Sequence, residues 1–499
     1  MTLEQQVGQL MILGFRGTDL QQGTIALIEE IQPGALIAFR HNVGTLEQVA
    51  QKNYALQMLS LKHTGLPLLL MVDQEGGPVV RIRTHPPPLS AAAIGQTGDL
   101  GVARGAGRHT GRLLRGLGYN MNLAPVLDLS SPNQRSFIGQ RSFGEHPALV
   151  ARMGLAYAQG LWAESVLPTA KHFPGHGGIQ QDSHYTLPIK TLDRAELLRT
   201  DALPFSLFSA EQRTSAIMMA HVAYPKLDPS GAPASFSQPI IEGILRQELK
   251  YQGLVITDDL EMHGAEFYTD VGERAIRAIE AGNDLIMVAW TPRHQKRAYQ
   301  ALVQAVQTGR LSQERLRRSL YRILSVKLQL PQPELMPPPS EINFDEWIAQ
   351  MNQAGARMSE AVSRWHFYAS LKRSPQLVRG MGQGKNLFIF TPDSQFFTHF
   401  QTTGRKAVNL IPISPRRPAS AHPQMTQNLE NNLFLFFASG TGSLRQAQNL
   451  PAKIKRRTIL INTTYPGAVS QRTDFFAIID SYSQDPQVAR WLADHLFSE

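Results

Sequence analysis

Gly253-Leu-Val-Ile-Thr-Asp-Asp-Leu-Glu-Met262 decides the reading of this chain, because a short apolar and β-branched run passes without a break into two carboxylates. Residues 254–257 read as a strand buried on both faces, the condition of a parallel sheet covered by helices. Working outward, runs of the same kind recur at 35–39, 66–72, 120–126, 166–170, 216–220 and 285–289, each ended by a polar or Gly-rich loop. Helical stretches lie between them, such as Val271, Ala275, Ile276 and Ile279 before Gly282, which suits a C-cap. Alternating β and α units allow a doubly wound sheet or a barrel, and the placement of polar residues separates the two. Asp73 follows the second run, Asp128 the third, Lys171 and His172 the fourth, His221 the fifth and Asp258 the sixth. Chemistry after nearly every strand suits the C-terminal face of a barrel; an open sheet gathers its ligands at one switch point. Ahead of the first run, Thr2 and Gln5 form a capping-box pattern, and Val7, Leu10, Met11 and Phe15 share one face. A helix is therefore expected to open the chain and cover one end or side of the barrel.

The chain of 499 residues exceeds one ordinary core and predicts a large α/β unit with a smaller partner. Five prolines within 331–340 mark the linker, so the expected divisions are a barrel over 1–328, a linker over 329–341 and a second domain over 342–499. Beyond the linker, apolar runs at 387–390, 408–413, 433–437, 459–461 and 475–479 and a closing helix over 485–497 predict a small α/β sandwich. With 42% hydrophobic and 18% charged residues the composition is that of a soluble globular protein, and no apolar stretch approaches the ~18 residues of a membrane span. The first residues show no leader pattern, so export by that route is not expected. Absence of cysteine excludes disulfides, thiolate metal sites, iron-sulfur clusters and a cysteine nucleophile. The net charge of +9 is spread over both halves, and its densest cluster, Lys453-Ile-Lys-Arg-Arg457, reads as a solvated turn, so no nucleic-acid partner is expected.

In Val72-Asp-Gln-Glu-Gly-Gly-Pro-Val-Val-Arg81 a strand delivers an acid, and two glycines then let backbone pass close to a ligand. Asp73 can accept from two sugar hydroxyls, with Arg81, Arg141 and Lys171 donating to the remaining oxygens; structural ion pairing is the competing reading of each. In Ala170-Lys-His-Phe-Pro-Gly-His-Gly-Gly-Ile-Gln-Gln-Asp-Ser-His-Tyr185, His172 and His176 have a metal-like spacing, but Pro174 and Gly175 break the helix that would align them. No metal and no cofactor is expected, and the glycines suit a movable loop. Asp182 and His184 lie two apart, on one side of an extended chain, and can form a carboxylate-imidazole dyad that gives and takes a proton near neutral pH. Asp258 and Asp259 diverge at their strand end, so one of them is expected to face the barrel axis and attack an anomeric carbon. Paired with the dyad, that acid would run a double displacement with retention.

These stretches together resemble glycoside hydrolase family 3, and within it the β-N-acetylglucosaminidases of the NagZ type. The likeness rests on Asp73-Gln-Glu-Gly-Gly77 with Arg81, Ala124-Pro-Val-Leu-Asp128, Arg141-Ser-Phe-Gly144, Lys171-His-Phe-Pro-Gly-His-Gly177, Asp182-Ser-His184, Met219-Ala-His221 and Thr257-Asp-Asp-Leu-Glu-Met262. It implies a (β/α)8 TIM-type barrel followed by a smaller α/β sandwich domain. It further implies Asp258 as nucleophile in preference to Asp259, His184 as acid/base with Asp182, and Asp73, Arg81, Arg141, Lys171 and His172 around the sugar. The implied substrate is a terminal β-linked N-acetylglucosamine on a small carbohydrate such as a muropeptide, in the cytoplasm. A phosphorylase of the same branch and a sugar-binding protein without turnover are the alternatives; a serine hydrolase would need a Gly-x-Ser-x-Gly elbow, which is missing. Two positions depart from the family pattern: Pro78 replaces a longer polar residue, and Glu261 stands where many members have a small one.

Overall fold

The computed structural model describes residues 1–130, 137–179, 181–211, 215–331 and 338–373, and after them residues 386–391, 408–412, 432–438, 447, 450, 458–462 and 477–480. Two compact units emerge: Met1–Arg83 with Asp99–Met351, and Thr84–Gly98 with Asn352–Glu499.

In the first unit eight parallel strands close a barrel in chain order: β1 (Met11–Gly14), β2 (Ala35–Ala38), β3 (Leu69–Val72), β4 (Met121–Asn122), β5 (Leu167–Phe173), β6 (Ala216–Met219), β7 (Leu254–Asp259) and β8 (Leu285–Val288). β1 closes the ring by pairing Ile12 with Met287 of β8 and with Ala35 of β2. Every residue of the eight strands is buried except Asp258, which is part-exposed. Apolar side chains fill the inside and outside of the ring, which is why these runs show no alternation. The one part-exposed strand residue of the barrel is an acid.

The opening helix is shorter than its apolar periodicity suggests. The Thr2–Gln5 capping box is present, with Gln5 N–H donating to Thr2 Oγ1 at 3.2 Å, but the helix spans only Leu3–Gly8. Met11 and Phe15, read as its apolar face, belong to and follow β1, a strand that the periodicity concealed. The chain turns there because Gly8 lies against the carbonyl of Ile31, where a Cβ would come within 1.9 Å. β4 is likewise shorter than the run at 120–126 and keeps two paired residues; an isolated bridge joins Val126 to Lys171. The helix Val271–Ala281 forms as expected, capped by Asp270 accepting from Glu273 N–H at 3.0 Å and ended by Gly282 at φ 124°.

The second unit contains a five-stranded parallel sheet in the order β10-β9-β11-β12-β13, from β9 (Asn386–Thr391), β10 (Val408–Pro412), β11 (Asn432–Ala438), β12 (Thr458–Asn462) and β13 (Ala477–Asp480). Each corresponds to one of the five expected runs, and a parallel sheet is the α/β arrangement those runs predict. The expected closing helix at 485–497 and the basic cluster Lys453–Arg457 lie outside the described residues, as does 332–337 of the proline-rich segment. Among the described residues no helix is long and apolar enough to cross a membrane.

Candidate functional site

The C-terminal ends of the barrel strands surround a cavity of about 810 Å³. Its wall includes Asp73, Arg81, Arg141, Lys171, His172, His184 and Asp258, so seven of the eight residues expected at the site reach one space; the eighth, Asp182, is bonded to His184. Asp259 and Glu75 join them.

Beyond β3 the chain makes a tight excursion that carries Asp73 and Glu75. Gln74 pins it: its Oε1 accepts from the N–H groups of Arg81 and Ile82, both at 3.0 Å, and its own backbone is held at both N–H and C=O by the Asn122 amide at 3.0 Å. Asp73 accepts from Arg81 Nη2 at 3.1 Å and from Lys171 Nζ at 2.8 Å. Lys171 also lies 2.6 Å from Glu75 Oε1, and Arg141 grips Glu75 with two parallel bonds of 2.8 and 2.9 Å. Sugar contact and ion pairing were competing readings of Arg81, Arg141 and Lys171; the structure makes all three ion-paired and cavity-lining at once. Burial opposes charge on Asp73 and Glu75, yet the cations beside them outweigh it and hold both below the usual carboxylate range.

Lys171 and His172 are consecutive in β5, where strict alternation would send them to opposite faces. The pairing of β5 with β6 slips between Lys171 and Phe173, and both side chains reach the cavity. Asp128, fully buried, orients the histidine: its Oδ2 accepts from His172 Nδ1 at 2.7 Å, and its Oδ1 accepts the His176 N–H at 2.6 Å. Burial raises the Asp128 carboxyl, but His172 and the bonds it receives bring it down to about 2. With Nδ1 donating, Nε2 of His172 is left for the cavity.

The first part of the Gly-rich stretch is packed: residues 171–177 are buried, and Gly177 rests on the carbonyl of Leu129, where a Cβ would sit 1.8 Å from the oxygen. Gly177 serves close packing, whereas Gly178 is exposed at φ 74° with nothing near its Cβ position. The rings of His172 and His176 do come together, 6.1 Å apart and perpendicular, without a helix between them. Among the described residues His176 has no hydrogen-bond partner at either ring nitrogen, and burial lowers its pKa to about 4. Among the described residues no group of three or more His, Asp or Glu is arranged to hold a metal ion.

Asp182 and His184 form their dyad through a turn rather than an extended segment: Asp182 Oδ1 accepts from both the backbone N–H of His184 at 2.9 Å and its Nδ1 at 2.7 Å. The His184 ring stays 57% exposed at the side chain, open to a ligand. The turn is tied to the segment after β7, with Gly264 N–H donating to Ser183 O at 2.9 Å and His263 Nδ1 to His184 O at 3.0 Å.

Asp258 and Asp259 are both part of the cavity wall, but only Asp258 is part-exposed, while the Asp259 carboxyl is buried against the backbone; the register between β7 and β8 shifts between Ile256 and Asp259. Their chemistry differs. Burial raises the Asp258 carboxyl, but His172, the N–H of Asp259 at 2.8 Å and Lys171 hold it below its ordinary value, so it is ionised. Asp259 accepts N–H bonds from Glu261 at 3.1 Å and Ala289 at 3.2 Å on Oδ1, while Oδ2 is buried without a partner. Burial, with the charges of Glu261 and Asp258, pushes it up to about 8. Asp259 is therefore neutral at pH 7. Unfolded, it ionises near 3.8, so folding takes up a proton between these values and the cost to stability grows as pH rises from about 4 to about 8. Asp259→Asn, which resembles the neutral acid, is expected to melt several degrees above the wild type at pH 8 and at nearly the same temperature at pH 4.5. An equal offset at both pH values would contradict the assignment.

His221, placed after the fifth expected run, is a buried neighbour: Nε2 donates to Asp259 O at 3.0 Å and Nδ1 accepts from Ser235 Oγ at 2.8 Å, and burial lowers its pKa. Glu75, Gln74 and Asn122 had been passed over. The i, i+2 spacing of Asp73 and Glu75 was the available signal for the first of them.

A closed (β/α)8 barrel with acids, a lysine and histidines converging at its C-terminal mouth defines a hydrolase-type carbohydrate site in general terms. Residues 2–326 match the glycosyl hydrolase family 3 N terminal domain, and the chain belongs to that family. Beta-hexosaminidase A of Pseudoalteromonas piscicida is 34% identical over 371 residues, 66% of this chain and 62% of that protein. The beta-hexosaminidase of Thioalkalivibrio sulfidiphilus is 36% identical over 299 residues, 58% of this chain and 84% of that one. Among solved structures, a family 3 beta-N-acetylglucosaminidase from Paenibacillus sp. superposes with a TM-score of 0.78 at 29% identity, covering 99% of this chain and 96% of that one. NagZ from Neisseria gonorrhoeae does so with 0.56 at 28% identity, over 70% and 97%.

Proposed function

We propose that the chain is a retaining exo-β-N-acetylglucosaminidase that releases terminal β-linked N-acetylglucosamine by double displacement. The observation that carries this reading is the pairing, in one cavity, of a single part-exposed, ionised strand-end carboxylate with a histidine held by its own aspartate. Asp258 attacks the anomeric carbon while His184 protonates the leaving oxygen; His184 then takes a proton from water, which releases the sugar. Asp182 holds the imidazole and stabilises its cationic form. Asp73, Arg81, Lys171 and His172 hold the hydroxyls, and Arg141 fixes the wall through Glu75 and completes the sugar contacts. Likeness to proteins named beta-hexosaminidase supports the N-acetylated substrate. Peptidoglycan fragments as substrates and a cytoplasmic location belong to the same proposal and rest on the family likeness alone. The division into 1–328, 329–341 and 342–499 belongs to it as well; it rests on the proline-rich segment, and the end of the family match at residue 326 supports it.

The test is turnover of p-nitrophenyl N-acetyl-β-glucosaminide in phosphate buffer, followed by proton NMR. The expected first product is the β-anomer of free N-acetylglucosamine. The α-anomer appearing first, N-acetylglucosamine 1-phosphate as main product, or faster turnover of the plain β-glucoside would each overturn the reading.

A further inference from the structure

The rim of the cavity carries a feature that the reaction at the anomeric carbon does not use. Trp290, just after β8, is 50% exposed although it is the largest apolar side chain at the barrel mouth. An exposed Trp is costly to leave in water and is common where a ligand covers it. Its indole is nevertheless firmly seated. It stacks on Phe39, the residue after β2, with ring centroids 4.3 Å apart and planes inclined by 28°. Phe39 also carries Arg81, whose guanidinium carbon lies 5.9 Å from the ring centre while its Nη2 holds Asp73.

The backbone under the indole is fixed by Glu261, one of the two positions that depart from the family pattern. Glu261 Oε2 accepts the N–H of Trp290 at 2.6 Å and that of Thr291 at 3.1 Å, and Oε1 accepts from His294 Nδ1 at 2.7 Å. Glu261 lies three residues beyond Asp258, so one short segment carries the proposed nucleophile and the anchor of the platform. A small residue at 261 would leave those two N–H groups without their carboxylate.

Trp290 and His41 line the catalytic cavity and also a second one, of about 740 Å³, whose wall includes Arg16, Gln21 and Lys296. The aromatic surface is thus a wall common to both spaces. A pyranose has an apolar face of C–H bonds and a rim of hydroxyls, and it matches a flat indole edged by polar donors better than a wholly apolar ligand does.

We infer that Trp290, seated on Phe39 and anchored by Glu261, is the floor of an aglycone subsite that takes the second pyranose ring of a β-linked oligosaccharide. This rests on the glycosidase reading above and deepens it: the chain prefers oligosaccharides of two or more rings to glycosides of small alcohols.

The experiment compares kcat/KM for the β-1,4 trimer of N-acetylglucosamine with that for methyl N-acetyl-β-glucosaminide. Their ratio does not depend on the fraction of enzyme that is folded. Trp290→Ala is expected to lower the ratio by about 10-fold or more, Trp290→Phe to keep most of it, and Glu261→Ala, acting on a positioning residue, to lower it by a smaller factor. A ratio within about twofold of wild type for Trp290→Ala would overturn the subsite. Binding supplies a second readout that needs no turnover. In an Asp258→Ala background the trimer should change the indole fluorescence saturably, and Trp290→Phe should remove that change. A signal surviving in Trp290→Phe would also overturn it, whereas trimer binding through Trp290 in a wild-type chain that hydrolyses nothing would refute the glycosidase reading and leave the subsite standing.

Discussion

Asp258→Ala is expected to lower kcat/KM on p-nitrophenyl N-acetyl-β-glucosaminide by about 10³-fold or more, with a melting temperature only slightly below that of wild type. The loss is large because no neighbour can stand in for this carboxylate. Asp259 is adjacent but neutral, with one oxygen engaged by two backbone N–H groups. Asp73 and Glu75 are committed to Lys171, Arg81 and Arg141. Because its neighbours hold Asp258 below its ordinary value, the charge favours the folded state, and the variant should lose a little stability at neutral pH, far too little to account for the loss of turnover. Azide, small enough to enter the space left by the side chain, should restore part of the turnover and give the α-glycosyl azide. Residual activity within tenfold of wild type, or a β-azide product, would rule out Asp258 as nucleophile.

Lys171→Met should produce the second large effect, on the fold as well as on the reaction. The Lys171 side chain is 3% exposed and bridges Asp73 and Glu75. An apolar replacement leaves two buried carboxylates sharing less positive charge, a change that costs about 3–5 kcal/mol when a buried pair loses one member. Asp73 and Glu75, both depressed in the wild type, would then ionise at higher pH, so the variant's deficit should shrink as pH falls below about 5 and the acids become protonated. Urea unfolding at pH 7 and pH 4.5 measures both quantities. A deficit below about 1 kcal/mol at pH 7 would mean that Arg81 and Arg141 suffice to hold the acids.

The barrel was legible because strand-end polar residues recur around the ring, a pattern that depends only on local order along the chain. β1 was not, for a physical reason: Val7, Leu10, Met11 and Phe15 satisfy a helical period, while a strand buried on both faces has no period of its own to oppose it. The same absence of alternation hid how the consecutive Lys171 and His172 both come to line one cavity, since slips in register between neighbouring strands are tertiary facts. The Asp182–His184 contact was readable from spacing, although the turn that makes it was not. Glu75 escaped because its meaning lies in Arg141, 66 residues away. Glu261 was visible as a departure from a pattern, and its partner Trp290 only in three dimensions.

The cavity wall sets three carboxylates, Asp73, Glu75 and Asp258, against four cations, Arg40, Arg81, Arg141 and Lys171. Taken as a medium, this lining is dense in donors and acceptors while its fixed charges nearly balance. Liquid water has the same two properties, but its dipoles must turn whenever charge moves. Here the dipoles are already turned, locked by Gln74, Asn122 and Asp128. The barrel mouth thus acts as a solvent whose reorganisation was completed when the chain folded, so a charge that migrates from a carboxylate to a leaving oxygen meets an environment that need not rearrange.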